Sequence, residues 1–293
     1  MTSRLALLAQ ADSLRASRRP FVLATVVRAQ RPTSAKPGDC ALVLPDGTIE
    51  GFVGGDCAES TVRLQGIRLL GTGESTLLRI TPEAGPGERV EEGVVTVGNP
   101  CLSGGALEIF LEAQLPPVLV VVHGDAPVAR ALVSVGRALG YDVRTEADPL
   151  PEDANAVLVA SHGRGEDTVL KAAAAAGIDY IGLIASHRRG TAVLDGLQLD
   201  ADVVHTPAGF DIGARTPEEI AVSVYAEMIA ARPREPGHAF DVEPAEAVDP
   251  VCGMNVALTA DALRLTHDGR PYHFCGPGCH QAFADDPGRY VHA

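Results

Sequence analysis

The sequence predicts an α/β protein with an N-terminal mixed α/β domain, a Rossmann-like parallel-sheet domain and a small C-terminal module that contains three cysteines. Hydrophobic residues make up 46% of the 293 residues, which is typical of packed globular domains. Strand-like segments dominate up to residue 115, and from residue 118 strands alternate with glycine turns and helical segments. That alternation indicates parallel βαβ units.

Proline-rich breaks divide the chain. The run Leu115-Pro116-Pro117 ends the first pattern, and the stretch that follows Ala231 is rich in proline and has no apolar period. Such a composition is typical of a linker. We therefore predict domains at 1–115 and 116–232, a linker at 233–247 and a last module at 248–293.

The charge balance excludes one class of partner. Asp and Glu outnumber Lys and Arg by 38 to 24, which gives a formal net charge of −14, so we expect no broad nucleic-acid-binding surface. The first residues lack the long apolar core of a signal peptide, and no stretch has the length of a transmembrane helix. We expect a cytoplasmic protein without stable membrane insertion. Its 6 cysteines are then expected to be thiols or metal ligands.

The first domain contains several strand-like segments. FVLATVV at 21–27 is a continuous apolar run, and CALVLPDGTIEGFV at 40–53 predicts two strands around a Pro-Asp-Gly turn. VVTVG at 94–98 and ALEIFLE at 106–112 complete the predicted set.

A cysteine follows two glycines where a strand is expected to become a helix. Gly54 and Gly55 leave the backbone bare, so a ligand could approach it closely. Asp56 is predicted to cap the following helix, with Glu59 as the reciprocal cap. Cys57 then lies in the first helical turn, where the helix dipole favours a thiolate and the two carboxylates oppose it. The alternative is a small buried hydrophobic residue.

A second cysteine has a similar setting. The segment GNPCLSGG places Cys101 after a proline and before Gly104 and Gly105, in a loop that leaves a strand. Cys57 and Cys101 together predict a reactive site, although Cys101 is equally well explained as a buried hydrophobic residue.

The second domain begins with a strand, a turn and a helix. The run VLVVV is apolar throughout, as expected for a strand covered on both faces. Further strands are predicted at 156–161 and 180–186, with a helix at 171–177 between them. Thr216 and Glu219 predict a capping box at the start of the last helix.

The dinucleotide fingerprint of this domain is incomplete. Where G-x-G-x-x-G is expected, the sequence has Gly124, Ala126 and Ala129, and a methyl group at the second position obstructs the approach of a pyrophosphate. Asp148 lies at a suitable distance downstream to bind a ribose hydroxyl. An Asp-Pro turn explains Asp148 equally well. The helix N-terminus after Gly124 could still hold a phosphate.

Polar residues follow the predicted strand ends of the same domain. His162, Arg188 and Arg215 all lie in such loops, on the side where open parallel sheets bind ligands. They are candidate cofactor-binding residues. The structural alternative is that they cap the strand ends, with Arg215 paired to Asp211.

The last module has the spacing of a metal site. Cys275 and Cys279 stand four positions apart, and on a helix they would share one face. Cys252 adds a third thiolate, and Zn or Cu suits such a ligand set. A module this small gains stability from a bound metal, although a metal-free mini-domain with small buried cysteines is the alternative. His273, His280 and Met254 are candidates for a fourth ligand, and His273 is the one we select.

Several motifs resemble a known family. The run VVRAQRPTSAKPGDCALVLPDGTIEGFVGGDCAES resembles the N-terminal domain of the XdhC/CoxI family, the accessory factors of xanthine dehydrogenase and carbon monoxide dehydrogenase. VARAL, YDVRTEADP, ASHGRGED, YIGLIASHRRG and GFDIGARTPEEIA resemble its Rossmann half. Residues 248–290, with DPVCGM and YHFC, resemble a YHS domain, which is related to TRASH metal-binding modules.

The resemblance implies a function. It implies a non-catalytic chaperone that binds the molybdenum cofactor, as molybdopterin or its dinucleotide form, protects it during sulfuration and helps to insert it into a molybdenum hydroxylase. Cys57 would lie nearest the metal or its sulfur ligand. Arg31 and Lys36 would bind the cofactor phosphate, unless they are simply solvated loop charges. If the client is a carbon monoxide dehydrogenase, copper delivery from the YHS domain is a further hypothesis.

Two rival functions stay open. One is an NAD(P)-dependent oxidoreductase that uses the βαβ segment, against which Ala126 argues. The other is a Cu or Zn carrier or sensor in which the first two domains support the YHS domain. A cysteine desulfurase partner and a homodimer are also left open.

Overall fold

A computed structural model describes residues 3–85, 87–99, 105–145, 148–232 and 244–291. The chain forms two compact units. The first combines Met1–Pro116 with Glu235–Ala293, and the second is Pro117–Arg234. The predicted last module therefore belongs to the same unit as the N-terminal domain.

The N-terminal part of the first unit contains two helices and seven strands. In chain order they are α1 (Arg4–Ala16), β1 (Phe21–Gln30), β2 (Cys40–Val43), β3 (Ile49–Gly51), α2 (Asp56–Thr72), β4 (Thr76–Thr81), β5 (Glu88–Glu91), β6 (Val94–Gly98) and β7 (Ala106–Gln114). A short 3₁₀ turn at Pro82–Ala84 follows β4.

The seven strands form one mixed sheet in the order β3-β2-β1-β7-β4-β6-β5. Neighbouring strands pair antiparallel except β4 and β6, which pair parallel. Residues of α2 such as Val62 and Leu70 pack with the buried side chains of the sheet, and α1 packs against β1 and β2 through Leu7 and Phe21. The site described below lies at the N-terminus of α2.

The predicted strands are present, and two further strands were missed. β4 alternates buried and half-buried residues, whereas all four residues of β5 are exposed at the sheet edge. An exposed edge strand gives little hydrophobic signal, because it buries no side chain.

The predicted cap of α2 was wrong. Gly55 occupies the N-cap position without a side-chain hydrogen bond, and Asp56 is the first helical residue. Glu59 is then the fourth helical residue, one position beyond the N3 site of a capping box, and Gly55 has no side chain to complete one. The Glu59 carboxylate pairs with Arg63 at 3.2 Å.

The second unit alternates strands and helices. In chain order it contains β8 (Leu119–His123), α3 (Pro127–Ala138), β9 (Asp142–Thr145), β10 (Ala156–Val159), α4 (Glu166–Ala175), β11 (Tyr180–Leu183), α5 (His187–Leu197) and α6 (Pro217–Ala231). The four strands are parallel in the order β11-β10-β8-β9. This is the predicted Rossmann-like parallel-sheet domain.

Helices cover both faces of this sheet. Val120 and Val122 of β8 face one core, which includes α3 and α6, and Leu119 and Val121 face the other, which includes α4 and α5. This explains the uninterrupted apolar run in the sequence. The predicted capping box of α6 is confirmed, with Thr216 and Glu219 bonded reciprocally.

The C-terminal part of the first unit contains two hairpins and a helix. β12 (Glu246–Val248) pairs with β13 (Asn255–Ala257), β14 (Leu263–His267) pairs with β15 (Arg270–Phe274), and α7 (Pro277–Asp285) follows. Phe274, Phe283, Tyr272 and Tyr290 pack their rings together. β12 begins inside the predicted linker 233–247, of which residues 233–243 lie outside the described residues.

No helix among the described residues is both long enough and apolar enough to cross a lipid bilayer.

Candidate functional site

The Gly-Gly-Asp-Cys segment forms the entry to α2. Gly54 has φ +145°, and a methyl group there would lie 3.0 Å from Ala58 Cβ and 3.2 Å from Leu107 Cδ1. Backbone conformation and packing therefore both require glycine at this position. A methyl group at Gly55 would meet no described atom within 4 Å, so the backbone is open there. Cys57 is the second residue of α2 and is half-buried.

Four cysteine sulfurs converge at this helix start. Cys275 Sγ lies 3.7 Å from Cys57 Sγ, 3.6 Å from Cys252 Sγ and 3.7 Å from Cys279 Sγ. Met254 and Val256 pack against the same cluster. The predicted thiol of the N-terminal domain and the three cysteines among the predicted metal ligands of the last module are thus neighbours.

A buried carboxylate organises the loops that carry these cysteines. Asp249 is 0% exposed, and its two carboxylate oxygens accept hydrogen bonds from Val251 N and Cys275 N, each at 2.8 Å. Its carbonyl accepts a bond from Gly253 N at 2.8 Å, which closes the turn that presents Cys252. Burial raises the pKa of Asp249. Asp249 joins the Cys252 turn to the backbone of Cys275, and sequence reasoning missed this role.

The backbone that carries Cys275 and Cys279 differs from the prediction. We expected both on one helix, but α7 begins at Pro277, so Cys275 lies in the bend before it and Cys279 in its first turn. A turn between β15 and α7 brings the two sulfurs together, which corrects the predicted geometry.

The cluster fits a metal ion. Ligand atoms of Asp249, Cys252, Cys275 and Cys279 all lie within 4.8 Å of one another. Tetrahedral coordination with metal–sulfur bonds of about 2.3 Å places sulfurs about 3.8 Å apart. The observed distances of 3.6 and 3.7 Å are close to this value. Among the described residues, neither His273 nor Cys57 is a member of this group.

The thiols influence one another's protonation. Hydrogen bonds from Cys275 and Cys279 hold the pKa of Cys252 well below its usual range. The hydrogen bond to Cys252 raises the pKa of Cys275 and of Cys279. The cluster therefore favours a thiolate at Cys252. A bound metal takes the place of the remaining thiol protons.

Other predicted residues of the first unit lie on loops. Arg31 and Lys36 are exposed, and the backbone N–H of Lys36 donates to Asp39 Oδ2 at 2.7 Å. A methyl group at Gly105 would lie 2.1 Å from the Pro32 carbonyl oxygen, so the start of β7 packs directly on the 31–36 loop. Cys101 and Gly104 lie outside the described residues.

The predicted residues of the second unit lie at the carboxyl edge of its sheet. Gly124 follows β8, His162 follows β10 and Arg188 lies in the first turn of α5 after β11. Asp148 is exposed after β9, and Arg215 is exposed just before α6. The order β11-β10-β8-β9 puts the topological switch point between β8 and β10.

Packing explains the glycine at position 124. It has φ +115°, and a methyl group there would lie 2.4 Å from the Ala160 carbonyl oxygen. The loops after β8 and β10 are therefore in backbone contact. Arg215 contributes its backbone N–H to Glu219 Oε2 at 2.7 Å, as part of the α6 cap.

Ion pairs that sequence reasoning missed lie at the same edge. Glu166, only 4% exposed, pairs with Arg189, and its carboxylate also accepts a bond from Gly163 N at 3.2 Å. Arg164 pairs with Asp125, and its carbonyl contacts His123 Nε2 at 2.9 Å. The sequence does place Glu166 at the start of a helix. Acidic residues are common at exposed helix starts, however, so this position alone does not predict a buried ion pair.

Comparison with known proteins identifies three regions. Residues 14–81 match the family model described as "XdhC and CoxI family", residues 120–228 match "XdhC Rossmann domain", and residues 247–293 match "YHS domain".

Two curated proteins show the extent of the similarity. "Uncharacterized protein YqeB" of Escherichia coli (strain K12) is 27% identical over 290 residues, which covers 85% of this chain and 51% of that protein. "Molybdenum cofactor insertion chaperone PaoD" of the same strain is 24% identical over 265 residues, 72% of this chain and 83% of that protein. This chain thus spans about half the length of YqeB.

The last module has a relative of its own. A "Copper-transporting P-type ATPase" of Rhizobium leguminosarum bv. viciae is 47% identical over 45 residues, which is 15% of this chain and 5% of that protein.

Proposed function

This chain belongs to the XdhC and CoxI family and carries a C-terminal YHS domain, and we propose that it is a maturation factor for a molybdenum hydroxylase. In this proposal it binds the molybdenum cofactor, assists its sulfuration and helps to insert it into a client of the xanthine dehydrogenase or carbon monoxide dehydrogenase type. It holds the cofactor without catalysing a reaction on it.

The observation that carries the proposal is the similarity to the molybdenum cofactor insertion chaperone PaoD. It extends over 72% of this chain and 83% of that protein, so it does not depend on one short motif. The geometry of the first unit supports the proposal, because it combines an open backbone at Gly55 with a half-buried thiol at Cys57.

Cys57 is the residue we assign to the cofactor's metal centre. When bound, the cofactor supplies a molybdenum ion with sulfur ligands, and a cysteine sulfur suits such a soft centre. Cys57 lies in the first turn of α2, where the helix dipole favours a thiolate and the carboxylates of Asp56 and Glu59 oppose it.

The cofactor's phosphate requires cationic partners. Arg31 and Lys36 are exposed on a loop of the first unit and are able to form charge-assisted hydrogen bonds. In the second unit, His162, Arg188 and Arg215 lie at the carboxyl edge of the sheet, where such folds bind nucleotides. We assign to each of these loop groups a phosphate-binding role within its own unit.

The test is anaerobic purification after co-expression with the cofactor biosynthesis enzymes, followed by pterin and molybdenum analysis. We expect the wild-type chain to retain pterin and Cys57→Ser to retain at least tenfold less, equivalent to about 1.4 kcal/mol. Cys40→Ala is the matched control, because Cys40 is a buried cysteine of β2 outside the sulfur cluster. Absence of pterin from the wild-type chain would refute the function, and equal retention by Cys57→Ser would refute the role of Cys57.

The sulfur cluster favours a second candidate function, a carrier or sensor of Zn or Cu. Thiolates are suitable ligands for both metals, and the module resembles part of a copper-transporting ATPase. The full chain with Cys252, Cys275 and Cys279 all changed to Ser separates the two functions. If the chain is a chaperone, this variant still retains pterin. If the chain is a carrier or sensor of Zn or Cu, the variant loses the metal binding on which that function depends.

The oxidoreductase alternative is tested directly by titration with NADH. The close contact of Gly124 with Ala160 explains that glycine without a nucleotide. We therefore expect no saturable binding, and a dissociation constant in the micromolar range would restore this alternative.

A further inference from the structure

We propose that Cys57 is a ligand of the metal ion in the YHS domain, so that one ion is held jointly by the N-terminal domain and the YHS domain through four thiolates. The metal site would then be incomplete in either domain alone. Only its regulatory consequence, given below, rests on the proposed function.

The distance from Cys57 to Cys275 matches the sulfur distances within the YHS domain. Its sulfur lies 3.7 Å from Cys275 Sγ, the same distance as that between Cys275 and Cys279. In a tetrahedral four-thiolate site every pair of sulfurs is about 3.8 Å apart. Cys275 already meets this requirement with three sulfurs. Cys57 is not in the group whose ligand atoms all lie within 4.8 Å of one another, so its side chain must turn toward Cys252 and Cys279 to enclose an ion.

Cys57 is a better fourth ligand than Asp249. Asp249 lies within ligand distance of the three YHS cysteines, but each of its carboxylate oxygens already accepts a backbone N–H. It is also fully buried. Zinc and copper sites with this number of cysteines favour sulfur over a carboxylate that is engaged elsewhere. Asp249 therefore orients the ligand loops, and Cys57 completes the set.

A packed interface presents Cys57 to the YHS domain. Leu64 and Ile67 of α2 are buried together with Ala257 of β13. Arg68 of α2 binds both carboxylate oxygens of Glu246, at 2.6 and 2.7 Å. Such contacts hold the cysteine side chain at a defined distance and reduce the entropy lost on metal binding.

A closer contact lies next to the sulfurs themselves. A methyl group at Gly276 would lie 2.9 Å from Asp56 Cβ. Gly276 has φ −175°, an extended conformation that any residue adopts, so space alone requires glycine here. The residue next to Cys275 thus fits directly against the residue next to Cys57.

The shared site makes Cys57 a switch. If Cys57 also contacts the molybdenum cofactor, as proposed above, a metal-bound Cys57 is unavailable to it. Metal and cofactor then compete, and by linkage each lowers the affinity for the other by the same factor. Metal binding to the YHS domain would thus lower the affinity of the N-terminal domain for the cofactor, because both use the Cys57 sulfur.

The test is a Co²⁺ titration of the reduced, pterin-free full chain, followed by its thiolate-to-cobalt charge-transfer absorption. Four thiolates become three in Cys57→Ser, so we expect the band to fall by about one quarter and the affinity to fall at least tenfold. Cys40→Ala should match the wild type, and Cys279→Ser should lose the same fraction of the band as Cys57→Ser. An unchanged band and affinity in Cys57→Ser would overturn the shared site.

A second pair of variants keeps all four thiols. Gly276→Ala forces the contact with Asp56 apart, whereas a methyl group at Gly278 would meet no described atom within 4 Å. We expect Gly276→Ala to weaken Co²⁺ binding at least threefold and Gly278→Ala to leave it unchanged. Equal affinities in the two variants would show that the interface does not contribute to the site.

Competition is measured last, as pterin retention by the wild-type chain with and without one equivalent of Zn²⁺. We expect zinc to lower retention at least tenfold. If pterin is retained equally with zinc, the switch is refuted while the proposed function stands. If pterin never binds, the proposed function fails, and the cobalt result still decides whether Cys57 is a ligand.

Discussion

Two regions of the molecule are rich in polar side chains: the sulfur cluster of the first unit and the carboxyl edge of the sheet in the second unit. They differ in which side chains are neighbours. In the cluster, cysteines have other cysteines as close neighbours, at 3.6 to 3.7 Å. At the sheet edge, Glu166 pairs with Arg189, and Asp125 pairs with Arg164. Several thiolates close together repel one another and are stabilised by a bound cation. A carboxylate and a guanidinium neutralise each other, so such a pair can stabilise the fold without an added ion.

The largest predicted effect is metal removal from the cluster. Structural zinc contributes apparent free energies of about 10 to 16 kcal/mol in small metal-dependent domains, more than a module of this size gains from its core. We expect a chelator, or Cys275→Ser, to remove hydrogen-exchange protection from residues 244–291 and leave residues 118–145 unchanged.

The control for this experiment is Cys40→Ala, which removes a buried thiol of the same unit outside the cluster. Protection of residues 244–291 that survives chelation would show that the YHS domain folds through its aromatic core alone. The cluster would then resemble the sheet edge, as a set of groups that supports the fold without an added ion.

Local signals explain which parts of the fold were predictable. The α6 capping box was correct because Thr216 and Glu219 interact with each other and with their own helix start. The analogous prediction at Asp56 failed because Gly55 is the N-cap, which puts Glu59 one position beyond the N3 site of a capping box. The apolar run of β8 identified a strand covered on both faces, but the all-exposed β5 gave no such signal.

The assembly of the candidate site was not predictable from local patterns. Cys57 and Cys275 are 218 positions apart, and each motif alone indicates a separate site. Their contact depends on residues such as Gly276 and Arg68, whose roles are defined only once the YHS domain packs on α2. The buried position of Asp249 is likewise a product of tertiary packing.

A smaller effect is expected from Glu166→Gln at the sheet edge. The change keeps the shape of this buried side chain but removes its charge, which leaves Arg189 and the Gly163 N–H less well satisfied. We expect the free energy of unfolding of the second unit to fall by about 1 to 3 kcal/mol in urea denaturation. Asp167→Asn is the matched control, because Asp167 is the exposed neighbour in the same helical turn. Equal effects of the two changes would show that the ion pair is not structural.

The smallest effect on stability is expected from Arg188→Ala, which tests whether the sheet edge has any binding function beyond its ion pairs. Arg188 is exposed in the first turn of α5, so its removal should change the free energy of unfolding by less than about 0.5 kcal/mol. Arg137→Ala makes the same charge change in the last turn of α3, at the opposite edge of the sheet.

If the edge binds the cofactor's phosphate, Arg188→Ala should lower pterin retention severalfold, and added salt should reduce the difference from wild type because it screens exposed charges. Arg137→Ala should retain pterin as the wild type does. Equal retention by both variants would mean that phosphate binding does not use this edge. The charged side chains of the sheet edge would then stabilise the fold without binding a ligand, whereas the sulfurs of the cluster would bind a metal ion.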